Sequence, residues 1–247
     1  MTSSVPTRDG ATVMLVRDGQ HAERPLEVFM LRRHPRTAFG SVHVFPGGVV
    51  DPSDHDPALA ARGLGRSDAE ASAVLGIVHG GLAFWIAAVR ESFEEAGVLL
   101  ARTTDGAALR LDDDPELEAR FARHRAALHD GRRSLLQILE EEDLVLCLDH
   151  VHYVAHWITP EGEPKRYDTR FFLARAPEGQ AYAHDDRELI HSEWVRPSDA
   201  LARQEAGDFD MIFPTISSID DIGRFATTDE LLAAHPRSPT RADRGVR

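Results

Sequence analysis

The stretch GLAFWIAAVRESFEEAGV, residues 81–98, limits what this chain can fold into more than any other. At about 100° per residue it makes a helix with two unlike faces. Leu82, Trp85, Val89, Phe93 and Ala96 share one face, and Glu91, Glu94 and Glu95 share the other at i, i+3 and i+4. Gly81 opens the helix weakly, and Gly97 is a natural residue to end it. The glutamates are badly placed for a helix standing alone. They crowd its last two turns, where the helix dipole disfavours negative charge, and Glu91 repels Glu95 one turn on. Two readings follow. The helix presents a solvated acidic face, or its carboxylates hold a hard divalent cation, which reverses the electrostatic balance.

Upstream, Phe45-Pro46-Gly47-Gly48 leads into Val49-Val50-Asp51. Paired glycines permit a tight turn and close approach of the backbone to a ligand. Together with Arg90-Glu91-Ser92-Phe93-Glu94-Glu95-Ala96-Gly97-Val98, this resembles the signature of the Nudix hydrolases, G-x5-E-x7-R-E-U-x-E-E-x-G-U, where U is bulky and apolar. Ser92 stands where an apolar residue is usual. The spacing departs as well: the signature sets its Arg 14 positions after its Gly, whereas Arg90 follows Gly48 by 42, so 28 residues are inserted. Counted forward from Gly48, the first acidic position falls on Asp54. Counted back from Arg90, it falls on Leu82.

A split box is similar to that of one Nudix branch, the coenzyme A diphosphatases of peroxisomal type. Three further stretches resemble that branch: Arg36-Thr37-Ala38-Phe39-Gly40 before the glycine turn, Trp157-Ile158-Thr159-Pro160, and Arg166-Tyr167-Asp168-Thr169-Arg170-Phe171-Phe172. The resemblance implies an α/β/α sandwich with a mixed sheet and an insertion inside the Nudix box. One domain is expected over residues 1–235, with the insertion at about 52–80, and the Pro-, Ser- and Arg-containing residues 236–247 read as a disordered tail. The insertion is expected to be a substrate-side element outside the core.

The implied activity is metal-dependent hydrolysis of a pyrophosphate in a nucleoside diphosphate linked to another group. The expected substrate is coenzyme A or acyl-CoA, cleaved to 3′,5′-ADP and 4′-phosphopantetheine. Mg2+ or Mn2+ would be held by Glu91, Glu94, Glu95 and the Gly47 carbonyl, with Arg90 orienting a glutamate. Arg33, Arg36, Arg166 and Tyr167 are the candidate substrate contacts. A general base outside the box could come from Glu161, Glu163, Asp185 or Glu188. Two alternatives stay open: a hydrolase of ADP-ribose, a dinucleotide or another nucleotide conjugate, and a non-catalytic Nudix-fold binding or regulatory module. Ser92 and the broken spacing favour the module; three retained glutamates oppose it.

A formal net charge of −13 argues against binding a nucleic acid polymer, which depends on neutralising phosphates. No apolar run approaches a membrane span, and residues 1–9 lack the apolar core of a signal peptide, so a cytoplasmic location is expected. A homodimer is compatible with these features. Cys147 is the single cysteine and reads as a small buried hydrophobe. His150, His152 and His156 fall on one face if residues 144–158 form a continuous strand, which raises the alternative of a zinc site.

Overall fold

The computed structural model describes residues 5–35, 40–184 and 189–235. The tail expected over 236–247 lies outside them, as do Arg36, Asp185 and Glu188. Nine strands are present among the described residues: β1 (Thr7–Asp18), β2 (Leu26–Arg33), β3 (His43–Val44), β4 (Gly47–Val49), β5 (Ala101–Thr103), β6 (Leu144–Leu146), β7 (Val151–Ile158), β8 (Arg166–Arg175) and β9 (Leu189–Val195). Eight helices accompany them: α1 (Pro57–Ala60), α2 (Asp68–Leu75), α3 (Leu82–Ala96), α4 (Pro115–His129), α5 (Leu135–Glu141), α6 (Pro197–Ala206), α7 (Phe213–Ile222) and α8 (Thr228–Ala234).

Seven strands form one mixed sheet in the order β3-β2-β1-β8-β7, with β4 on β1 and β9 on β2. Strand β1 runs parallel to β8; the other pairs are antiparallel. The first half of β1 pairs with β4 through Gly10, Ala11 and Thr12, and its second half pairs with β2 through Val16, Arg17 and Asp18. Between these partners the chain crosses at Phe45-Pro46, where the Pro46 carbonyl accepts from Val13 N–H at 2.9 Å. Successive residues of β1 are buried on both faces, because helices cover both faces of the sheet. Ala11, Val13 and Leu15 pack with Trp85, Val89 and Phe93 of α3 in one core. Met14 and Val16 belong to a second core with Phe209, Ile219 and Ile222. The result is an α/β/α sandwich with a mixed sheet.

The insertion departs from expectation. Leu59, Ala71 and Val74 are buried in the same core as α3. Helix α2 starts at a capping box formed by Ser67 and Glu70, and its Asp68 then reaches forward to α3. Asp68 Oδ1 accepts from Leu82 N–H at 3.0 Å, and Oδ2 from Gly80 N–H at 3.0 Å. Ser72 Oγ accepts from Gly81 N–H at 2.9 Å. The glycine start of α3 offers no side-chain cap of its own, so the insertion supplies one. The insertion therefore contributes to the core through Leu59, Ala71 and Val74 and to the helix start through Asp68 and Ser72, rather than standing outside both.

A second correction concerns the histidines. His150 lies in a short 3-10 turn before β7. A bulge between Tyr153 and Ala155 then shifts the register, so His152 faces Leu173 while His156 faces Arg170. One extra residue reverses which face a side chain takes. The three histidines therefore do not share a face, and the zinc alternative loses its geometric basis.

Candidate active site

Helix α3 is closed on all sides: 14 of its residues are buried, and Glu94 alone is intermediate. The solvated acidic face is thereby excluded. Glu91 and Glu95 retain 9% and 8% of their exposure. Gly97 ends the helix in the left-handed conformation at φ 75°, its N–H returning to Phe93 O at 3.1 Å. Ser92 occupies its apolar position without stranding a hydroxyl, because Oγ donates to Val98 O at 2.9 Å. The last carbonyls of α3 meet a cation that sequence reading missed. Arg125 of α4 donates to Glu94 O at 2.9 Å and Glu95 O at 2.8 Å. Nothing in the spacing of α4 marks Arg125, whose role comes from how α4 lies across the end of α3.

The choice between Asp54 and Leu82 is resolved by Arg90. Its Nε donates to Asp54 Oδ1 at 2.9 Å and Nη2 to Asp54 Oδ2 at 3.0 Å, a two-pronged ion pair across 36 residues. Asp54 sits in the 3-10 turn Pro52–His55, and its Oδ2 also accepts from Asp51 N–H at 2.8 Å. Leu82 is a core residue. The insertion thus begins after Asp54, and the forward count from Gly48 holds. Arg90 continues to Glu91 Oε1 at 2.8 Å, Glu94 Oε1 at 3.2 Å and Val49 O at 2.9 Å. Burial alone would make Arg90 easier to deprotonate, but its hydrogen bonds to Asp54 and the charges of Glu91, Asp54 and Glu94 outweigh that and keep it charged.

The glycine turn completes the arrangement. Glu95 Oε2 accepts from Gly47 N–H at 2.8 Å. A Cβ on Gly48 would displace the Glu91 carboxylate, so glycine here leaves that group its place against the strand. Burial pushes the Glu91 carboxyl up to about 7; Arg90 opposes the shift and the Glu94 charge adds to it. Three carboxyl groups, on Asp54, Glu91 and Glu94, thus meet one arginine, and a fourth, on Glu95, is held by the glycine turn. Such a set of hard oxygen donors with surplus negative charge suits a divalent cation of the Mg2+ class.

Other sequence-picked residues lie further off. Arg33 closes β2, and Arg166 opens β8, where its Nε donates to Thr159 O at 3.1 Å and Nη1 to Val5 O at 2.9 Å. Tyr167 follows on β8 opposite Arg8. Glu161 and Glu163 are exposed in the β7–β8 turn. Arg170, which the sequence reading passed over, is 5% exposed, stacks 5.1 Å from the Phe84 ring centre and pairs with Asp168. A second cluster, His124, Glu141 and Glu142, offers ligand atoms within 4.8 Å of one another, a His/Glu/Glu set of the kind that can hold a divalent metal. It joins α4 to the end of α5.

The architecture of this site can be set beside known proteins. A sequence model of the NUDT19 Nudix domain matches residues 65–221, more than half of the chain. This chain belongs to the Nudix family. It is 29% identical to a chicken (Gallus gallus) protein named acyl-coenzyme A diphosphatase NUDT19, over 96% of this chain and 73% of that one. The human (Homo sapiens) protein of the same name is 28% identical over 83% of this chain, which spans 62% of the human length. Among solved structures, a Nudix hydrolase from Alicyclobacillus acidocaldarius superimposes with a TM-score of 0.73 at 26% identity, covering 95% of this chain and 99% of that one. The Nudix family match and this superposition agree with the sandwich. None of the described helices is long and apolar enough to cross a membrane.

Proposed function

We propose that this Nudix protein hydrolyses the pyrophosphate bond of coenzyme A or its acyl esters, releasing 3′,5′-ADP and a 4′-phosphopantetheine product. The observation that carries the reading is the cluster of Asp54, Glu91 and Glu94 around Arg90, with Glu95 set on the amide of the Gly47-Gly48 turn. The chicken and human relatives named acyl-coenzyme A diphosphatase support the substrate class.

Glu91, Glu94, Glu95 and the Gly47 carbonyl would hold Mg2+ or Mn2+. When bound, such a cation offsets phosphate charge, lowers the pKa of a coordinated water and fixes the line of attack. The chain's own residues prepare that site. Asp54 anchors Arg90, and Arg90 holds Glu91 and Glu94 in place. Glu95 is set by the Gly47 amide. Glu91, held by Arg90 against the glycine turn, is the carboxylate proposed to take a proton from water. Arg33, Arg36, Arg166 and Tyr167 are the proposed substrate contacts, since coenzyme A carries a 3′-phosphate beyond its pyrophosphate and an acidic protein needs local arginines to grip it.

One assay tests the assignment: coenzyme A, acetyl-CoA, 3′-dephospho-coenzyme A and ADP-ribose with Mg2+ or Mn2+, the products weighed by mass. Cleavage of coenzyme A to 3′,5′-ADP in preference to ADP-ribose is the expected result. Equal cleavage of coenzyme A and its 3′-dephospho form, or a wide preference for ADP-ribose, overturns the coenzyme A reading.

A further inference from the structure

The glutamates occupy one face of the sheet, and the opposite face beside the same glycine turn carries a set of groups the mechanism does not use. Ala11 and Val13 of β1 point toward α3, so Gly10 and Thr12 point the other way. Thr12 pairs with Gly47, and its side chain fills the space a Gly47 Cβ would need. Gly10 pairs with Val49 on one side and with Thr169 on the other, and Thr169 pairs with Trp157. Val49, Gly10, Thr169 and Trp157 therefore form one row across four strands. Trp157 packs on the second core, and its ring meets Phe213 edge to face, with ring centres 5.6 Å apart at 89°. Phe213 is brought there because Asp210 O accepts from His43 N–H at 2.7 Å, which runs the segment before α7 alongside Phe45 and the turn.

We propose that Trp157 and Phe213 hold the purine base of the nucleotide substrate over a floor of Gly10, Thr12 and Thr169. This rests on the reading of the chain as a hydrolase of nucleotide conjugates and says which half of the substrate lies on this face. Phe213 is 69% exposed, a large apolar ring left in water at the edge of the site. The hydroxyls of Thr12 and Thr169 make no hydrogen bond among the described residues. Trp157 Nε1 is buried and has no partner there either, whereas a core tryptophan normally finds one. An aromatic pair beside idle hydroxyls matches a flat heteroaromatic ring with nitrogen acceptors and donors. An acyl chain would cover the rings but leave the hydroxyls unpaired, which disfavours it. Gly10 keeps the floor low: a Cβ there would press on Thr169 Oγ1 at 3.0 Å. Strand spacing puts β7 about 14 Å from β4 across the row, within the reach of a nucleoside diphosphate. Strand β4 is only three residues long and lies at the sheet edge, so a pyrophosphate can pass round it from the base on one face to the glutamates on the other.

The test is equilibrium binding of AMP, 3′,5′-ADP and 4′-phosphopantetheine to wild type, Trp157→Ala, Trp157→Phe and Phe213→Ala. Trp157→Ala is expected to weaken both adenine nucleotides about 5- to 150-fold, the range of base stacking on an aromatic ring, with phosphopantetheine unchanged. Phe213→Ala should show a smaller loss in the same direction with an unchanged melting temperature, since only an exposed ring is removed; it stands in if Trp157→Ala fails to fold. AMP should quench tryptophan fluorescence in wild type and not in Trp157→Phe. Unchanged adenine-nucleotide affinity in these variants, or a loss confined to phosphopantetheine, overturns the inference. AMP binding needs no turnover, so the two readings fail separately. If coenzyme A is not cleaved but Trp157→Ala loses AMP, the base site stands on another nucleotide conjugate; if coenzyme A is cleaved and AMP binding is untouched, the inference alone falls.

Discussion

Two carboxylate clusters in this molecule use the same residue types to opposite ends. Around Arg90, the carboxyl groups of Asp54, Glu91 and Glu94 share one guanidinium, with Glu95 beside them on the Gly47 amide. Around His124, the two carboxylates Glu141 and Glu142 meet two guanidiniums. Arg120 grips Glu142 at 2.7 and 2.8 Å, and Arg133 pairs with Glu141 while also donating to His124 Nδ1. The second cluster is balanced by the chain itself: burial pushes the Glu142 carboxyl up, but Arg120 and His124 outweigh it and hold the group below the usual carboxylate range. The first is left with surplus negative charge, and Glu91 is driven upward. Proximity of acidic groups does not distinguish the two; the count of local cations does. A cluster already neutral has little to gain from a divalent ion, whereas the glutamate end of α3 gains both charge balance and ligands.

The sharpest test of that contrast is catalytic. Glu91→Gln with Glu95→Gln should lower kcat by about 10^3-fold or more, since the several kcal/mol that a bound cation supplies would be lost. Glu142→Gln should leave turnover within about two-fold. Equal losses in both would erase the distinction. Metal titration reads the same contrast without substrate: Mn2+ should raise the melting temperature of wild type and of Glu142→Gln, and leave the double variant unmoved.

Next in size is the clamp. Asp54→Ala leaves the buried Arg90 without its two-pronged partner, and breaking such a pair costs about 3–5 kcal/mol. Chemical denaturation should show that loss. Glu142→Ala should cost less, because Arg120 is half exposed and can turn to water.

A smaller effect separates charge from burial. His43 is stacked on Phe209 at 3.6 Å between ring centres, and burial lowers its pKa from 6.5 to about 4. A folded pKa below the unfolded one means that the unfolded chain binds the extra proton. The contribution is therefore complete above pH 6.5 and lost as pH falls toward about 4. Comparing the pH dependence of stability in wild type and His43→Phe should show a flatter curve for the variant in that window. The smallest expected effect is Asp68→Ala, which uncaps α3 and should cost about 1 kcal/mol with kcat nearly unchanged.

Much of this site was legible in the residues. The apolar spacing of α3, the glycine at its end and the glutamate triplet come from local rules, and local rules survive folding. The sandwich followed from the same signature. What was not legible depends on contacts distant in sequence. Asp54 and Leu82 were equivalent by counting, and only the reach of Arg90 separates them. The insertion read as an excursion because its apolar positions, Leu59, Ala71 and Val74, are few and spread over two short helices. The histidine row failed because a single bulge in β7 has no sequence mark. Arg125 and Arg170 gave no signal, since a lone arginine on a helix or strand reads as surface until its neighbours are known.

The capping of α3 by the insertion also has a consequence for how the chain folds. Asp54 and Arg90 close a loop of 36 residues, roughly four times longer than an uninterrupted signature would close. As slack chain, that extra length would add about 1.2 kcal/mol of closure entropy. The segment is not slack: α2 is launched by its own capping box, and Asp68 and Ser72 fasten it to residues 80–82. Once these local bonds form, the two ends of the loop are drawn together before Asp54 meets Arg90. If these local bonds form ahead of the Asp54–Arg90 pair, refolding of the Asp68→Ala protein should slow by more than its small loss of stability would suggest, as stopped-flow refolding would show.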